Sequence, residues 1–237
     1  MNATFINQTA INQTVGEIVA MMPKASEIFR KYKIDFCCGG NRKLSEVIKE
    51  QKLDEGEIIK KLNEVLEESS KAGANGKNFT EMSQNELIDH IENTHHVYVK
   101  RVLPELGELT TKIMRVHGIN HEELLKVHKL FSSLKAELEQ HLMKEEEILF
   151  PLMKEYEKNP SIQAFERTKQ VMKETEDEHE AAGNILKELR RITNDYKVPE
   201  DGCNTYALTF RKLEELEADL FQHIHLENNI LFKNWRD

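Results

Sequence analysis

The chain has 237 residues, of which 39% are hydrophobic and 32% charged, with a net charge of −9. That length suits one large domain or a small domain beside a medium one. A negative chain without a basic stripe argues against nucleic acid as a partner, and no window approaches 18 apolar residues free of charge, so no membrane span is expected.

The opening stretch, MNATFINQTAINQT, has neither the basic start nor the apolar run of a signal peptide. Three cysteines occur, Cys37, Cys38 and Cys203. An odd count with two adjacent is a poor disulfide framework, which points to a reducing compartment and a cytoplasmic protein. With only 10 Gly and 5 Pro, the Glu/Lys/Leu-rich composition reads as mostly helix.

In chain order, Thr14-Val15-Gly16-Glu17 fits a capping box that opens a first short helix, broken by Pro23. Ala25 to Tyr32 reads as a second helix. It stops before Cys37-Cys38-Gly39-Gly40, where the glycines suggest an exposed loop able to approach a partner. Leu44 to Gln51 and Asp54 to Leu66 supply two more helices. Residues 1–70 therefore form a small helical domain carrying the cysteine pair, near the lower size limit for a core of its own. Apolar periodicity then lapses in ESSKAGANGK, Glu68 to Lys77, and residues 71–80 read as a linker.

Residues 81–237 predict four longer helices. Ser83-Gln84-Asn85-Glu86 is a second capping box and opens a helix that ends near Gly118, with Pro104 a candidate kink. The others run from about His121 to Glu157, Ser161 to Thr193 and Cys203 to Trp235. Short polar connections favour an antiparallel, up-down-up-down bundle.

The second of these helices carries one continuous inward seam: Leu124, Val127, Phe131, Leu134, Leu138, His141, Glu145, Ile148 and Leu152, spaced alternately by three and four. The fourth repeats it with Leu213, Leu216, Leu220, His223, Glu227 and Ile230. On the third, His179 shares a seam with Met172, Thr175, Ala182 and Leu186. A glutamate inside a bundle costs several kcal/mol unless it is paired or metal-bound. A single seam histidine is most simply structural, but two aligned His-x-x-x-Glu intrusions call for one shared explanation. Histidine and glutamate four apart project from one helix face and can serve one metal site.

An internal repeat strengthens that reading. His141-Leu-Met-Lys-Glu145-Glu-Glu-Ile-Leu-Phe150 matches His223-Ile-His-Leu-Glu227-Asn-Asn-Ile-Leu-Phe232 at His, Glu, Ile, Leu and Phe. His179 precedes His223 by 44 residues, and His96 precedes His141 by 45. Two helix pairs, each giving His and then His-x-x-x-Glu, supply His96, His141, Glu145, His179, His223 and Glu227. Six such ligands suit a pair of metals with two bridging carboxylates. Iron is the first choice and manganese the second; closed structural zinc sites favour cysteine, and none lies nearby. Periodicity leaves the first histidine open: His96 continues into Val99, Leu103 and Leu106, whereas His95 joins Ile88 and Ile91.

The motifs HLMKEEEILFP and HIHLENNILF, with EHEAAG around His179, resemble the haemerythrin-like domain of the repair-of-iron-centres (RIC) proteins. IFRKYKIDFCCGGNRKL resembles that family's own N-terminal domain, so the likeness covers nearly the whole chain. The resemblance implies His96 as the first ligand. It also implies two iron ions per chain with an oxo or hydroxo bridge, and repair of iron–sulfur clusters damaged by nitrosative or oxidative stress. Damaged iron–sulfur proteins and NO or O2 are then the expected partners. Nitric oxide reductase activity and a homodimer stay open, and the alternative is a non-catalytic O2- or NO-binding carrier or sensor. Acidic residues at Glu137 and Glu178 resemble groups lining a polar channel beside the ligands. Cys37 and Cys38 could transfer iron or electrons. His90, His117, His121, His128 and His225 read as surface or capping residues, and Cys203 as incidental.

Overall fold

A computed structural model describes residues 11–71 and 78–236, the side chains of 69–71 excepted. Most of the expected linker therefore lies outside the described residues. Among those described, the chain is all helix, with one isolated bridge between Thr14 and Lys43. It divides into two compact units: Ile88–His223, and Met1–Leu87 together with Ile224–Asp237. No helix among the described residues is long and apolar enough to cross a membrane.

The N-terminal unit contains α1 (Val15–Met21), α2 (Ala25–Lys31), α3 (Leu44–Gln51) and α4 (Glu55–Lys71). At the start of α1 the Glu17 amide donates to Thr14 Oγ1 at 3.2 Å, and the Thr14 amide donates to Glu17 at 3.1 Å. The next two amides of α1 find carbonyls in the cysteine loop: Val15 donates to Arg42 and Gly16 to Gly40. Such donors at a helix start otherwise have no intrahelical partner. Val15, Phe29, Phe36, Leu44, Ile58 and Leu62 are buried in this unit, and α1 packs on the chain's last turns at Glu227–Leu231.

Four longer rods make an antiparallel four-helix bundle, preceded by this small helical domain. The first, α5, runs Gln84–Ile91, a π turn at Glu92–His96, then Val97–His117, passing through Pro104. Next comes α6: Glu123–Lys144, a π turn at Glu145–Leu149, then Phe150–Lys158. An unbroken α7 covers Ile162–Ile192, capped by Ser161. Last, α8 runs Asn204–Leu226, a π turn at Glu227–Leu231 and a tight 3-10 turn at Phe232–Trp235. Val99, Leu106, Phe131, Leu138, Leu186, Phe210 and Leu220 belong to the bundle core. Within it, the guanidinium of Arg190 on α7 grips the buried Glu217 carboxylate of α8, a pairing that compensates the cost of burying that charge.

The π turns correct two expectations. Each adds one residue to its turn, so the inward seam shifts by one position beyond it. Ile148 is 42% exposed, whereas Leu149 is 0%. Leu152 gives way likewise to the buried Met153, and Ile230 to Leu231.

Candidate metal centre

Three of the four rods change pitch where an expected ligand sits: His96 ends one π turn, and Glu145 and Glu227 each begin one. A π turn widens the helix locally and re-aims a side chain, a feature concentrated at functional sites. The polar side chains so placed are buried: His96, His141, Glu145, His179, His223 and Glu227 are each at most 5% exposed.

Around Glu145 the contacts are to imidazole nitrogens. Its Oε2 lies 3.3 Å from His96 Nε2 and 3.3 Å from His141 Nε2, and its Oε1 lies 3.9 Å from His179 Nε2. The outer nitrogens are engaged elsewhere. His96 Nδ1 is 2.8 Å from Glu146 Oε1, and His141 Nδ1 is 2.9 Å from Glu178 Oε2. A neutral imidazole that donates from Nδ1 to a carboxylate presents Nε2 as a lone pair. In that form the lone pairs of His96 and His141 face a carboxylate that is itself an acceptor, and His141 Nε2 also lies 3.2 Å from His179 Nε2. Neither oxygen of Glu145 accepts a hydrogen bond among the described residues. Acceptors facing acceptors in a dry site repel each other, and a cation between them turns each contact into a bond. The residues present therefore fit a metal.

Glu227 follows His223 by four residues along the same rod, as Glu145 follows His141. Two sets of side chains can each hold an ion, their ligating atoms all within 4.8 Å of one another: His96, Glu145, His223 and Glu227, and His141, Glu145, His179 and Glu227. Both glutamates occur in both sets. Nitrogen with carboxylate oxygen is a donor set that suits iron.

The neighbouring acids differ. Glu178 accepts from His141 and also from Lys144 Nζ at 2.6 Å. The His141 hydrogen bond, aided by Lys144 and opposed by burial, holds its carboxyl at about 2. Glu137 is exposed and accepts from the Ser133 hydroxyl at 2.9 Å. Sequence reasoning overlooked Glu146. It bonds His96 and Lys100, and although burial pushes its carboxyl up, those two partners bring it below the ordinary range. Three consecutive glutamates, 145–147, concealed it. His95 is also buried, bonded to Asp219 at 3.0 Å and stacked on His223.

Two further expectations are corrected. His225 is fully buried, not a surface residue: its Nδ1–H donates to the Phe36 carbonyl at 3.3 Å, and burial lowers its pKa to about 4. The cysteine loop is less open than its glycines suggested. Cys37 is buried and Cys38 half-buried. Asp35 gathers the loop by accepting from the amides of Cys37 and Gly39. The Cys37 and Cys38 sulfurs lie 3.8 Å apart; that contact and burial push the Cys37 thiol well above its usual value.

A buried centre of histidines and shared glutamates in a four-helix bundle defines a haemerythrin-type cation-binding protein, and residues 87–235 match the model of the hemerythrin HHE cation binding domain. Residues 11–66 match the ScdA_N domain, described as a domain of unknown function. Among its relatives is the iron-sulfur cluster repair protein ScdA of Staphylococcus haemolyticus, 31% identical over 93% of this chain and 96% of that protein. A probable iron-sulfur cluster repair protein of Haemophilus influenzae is 36% identical over 93% and 95%. The iron-sulfur cluster repair protein YtfE of Enterobacter sp. (strain 638) is 35% identical over 93% and 95%. The chain belongs to this ScdA/YtfE family.

Proposed function

We propose that this protein binds about two iron ions through His96, His141, Glu145, His179, His223 and Glu227. With them it repairs iron–sulfur clusters damaged by nitrosative or oxidative stress, by giving up iron or by reducing NO. Its clients would be damaged iron–sulfur proteins of the cytoplasm. The observation that carries the reading is the buried Glu145 carboxylate facing imidazole lone pairs at 3.3 Å. The relatives' names supply the client class.

Bound iron would supply a one-electron couple and a coordination position for NO or O2. The chain's own part is to hold and orient. Glu146 and Glu178 fix the imidazoles of His96 and His141 so that Nε2 faces inward. The carboxylates of Glu145 and Glu227 are themselves closed off from water, each 0% exposed, and Phe150 stacks on the His96 ring.

The test joins metal analysis of anaerobically purified protein with reactivation of a nitrosylated iron–sulfur enzyme. About two irons per chain and recovery of client activity are expected. A protein that takes up one zinc and no iron refutes the site, and an iron-loaded protein that leaves the client inactive refutes the repair role.

A further inference from the structure

The last π turn does more than carry Glu227. Asn229 lies within it, and its amide Nδ2 donates to the Phe36 carbonyl at 3.2 Å and to the Cys37 carbonyl at 3.0 Å. One face of this amide is pressed on glycines. A Cβ at Gly40 would come within 2.4 Å of Asn229 Oδ1, and one at Gly16 within 2.7 Å. Those backbones can approach so closely only as glycine. His225, on the preceding turn, donates to the same Phe36 carbonyl. The cysteine loop and the Glu227 turn are therefore joined by hydrogen bonds to the backbone at Phe36 and Cys37.

We propose that the Cys37–Cys38 pair is a thiol-modification site and that Asn229 is the positioning residue through which its state sets the hold on metal at Glu227. The proposal rests on the reading of Glu227 as a metal ligand.

The chemistry follows from spacing. The two sulfurs already touch, 3.8 Å apart, so a bridge between them needs no other segment of the chain to move. Cys38 is the more exposed thiol and is the one an incoming disulfide reaches. Its thiolate attacks a sulfur of a low-molecular-weight disulfide, forming a mixed disulfide and releasing one thiolate. The Cys37 sulfur then attacks Cys38 and releases the second. One S–S bond forms within the chain and one breaks in the oxidant. Two electrons pass to the oxidant, and the two protons from the cysteines leave with its thiols.

Ordinary disulfides join residues whose Cα atoms are about 4.4–6.8 Å apart, whereas neighbours across a trans peptide are about 3.8 Å apart. Closing a bridge between adjacent residues therefore strains the one peptide that links them. That peptide carries the Cys37 carbonyl, which Asn229 holds. Turning it withdraws an acceptor from Asn229 and loosens the π turn that begins at Glu227. Loss of a partner that orients a ligand lowers metal affinity by roughly 10- to 100-fold.

The experiment uses the full chain loaded with Fe(II), reduced or treated with oxidised glutathione, and follows iron transfer to a colorimetric chelator. Mass spectrometry checks that the bridge forms. Oxidised protein should release iron at least about tenfold faster. Asn229→Ala should release it at that faster rate when reduced, and oxidation should add little more. Gly40→Ala, which displaces Asn229 instead of truncating it, should behave likewise, and circular dichroism verifies that each variant is folded. Cys37→Ser with Cys38→Ser should hold iron as the reduced wild type does and ignore the oxidant. Equal release from reduced and oxidised wild type, or a wild-type rate in Asn229→Ala, overturns the coupling while leaving the iron reading intact. A wild-type protein that takes up no iron overturns both.

Discussion

At the scale of single residues, charge placement separates the centre from the rest of the molecule. Glu217 is buried but gripped by Arg190, so its charge is compensated within the protein. Glu145 is buried to the same degree, yet faces imidazole nitrogens instead of a cation. Glu145→Ala or Glu227→Ala should therefore retain far less iron than His128→Ala, which lies off the seam. Glu178→Gln should fall between them, weakening iron retention roughly 10- to 100-fold by freeing the His141 ring. Metal content after desalting against a weak chelator reads the order; equal content in all four proteins refutes it. The six ligand candidates were legible because polar residues interrupt apolar stripes at helical spacing. Glu146, His225 and Asn229 were not. Each matters through what it touches across the fold, such as His96 or the Phe36 carbonyl. The one local hint for Asn229 was a pair of asparagines, weak helix formers, placed mid-helix.

At the scale of elements, the π turns explain both what periodicity found and where it failed. Straight helical counting follows a seam up to Glu145 and Glu227 and then goes out of phase, because each π turn inserts one residue. The same insertion resolves the histidine pair on α5. Counting by threes and fours from Ile88 and Ile91 reaches His95, whereas counting back from Val99 reaches His96; both are buried, and the π turn at Glu92–His96 lies where the two counts meet. Two competing seams one residue apart were thus the sequence trace of an inserted residue. Deleting the exposed Glu147 should let α6 run as one regular helix. Leu149 and Met153 would then follow Glu145 at regular α-helical spacing, so the core should persist. The aim of Glu145 would change with the turn. The expected variant keeps its far-UV dichroism and melts cooperatively but binds iron poorly. A variant that binds iron normally shows that the widened turn has no part in the centre, and one that fails to fold shows that it is needed for packing.

For the whole molecule, the question is what metal does to stability. Capping boxes at Thr14 and Ser83 and the stop at Gly118 were readable because caps are local chemistry. The grouping of Ile224–Asp237 with Met1–Leu87 was not, since it depends on pairings some 190 residues apart in sequence. Burying Glu145 without metal costs stability, because its charge leaves water and neither of its oxygens gains a hydrogen bond among the described residues. Iron reverses that sign, and binding only the folded state adds about 2.7 kcal/mol at a hundredfold excess over Kd. Two melting curves at pH 8, where exposed imidazole is neutral, separate a ligand from a structural acid. In metal-free protein, Glu145→Gln should raise Tm, by roughly 2–4 °C for each kcal/mol relieved. In iron-loaded protein the same substitution should lower Tm, because it removes an anionic candidate ligand. A structural Glu145, paired with protonated histidine, would make glutamine destabilising with and without iron. The sign change between the two curves is the result expected of a carboxylate kept buried for the metal.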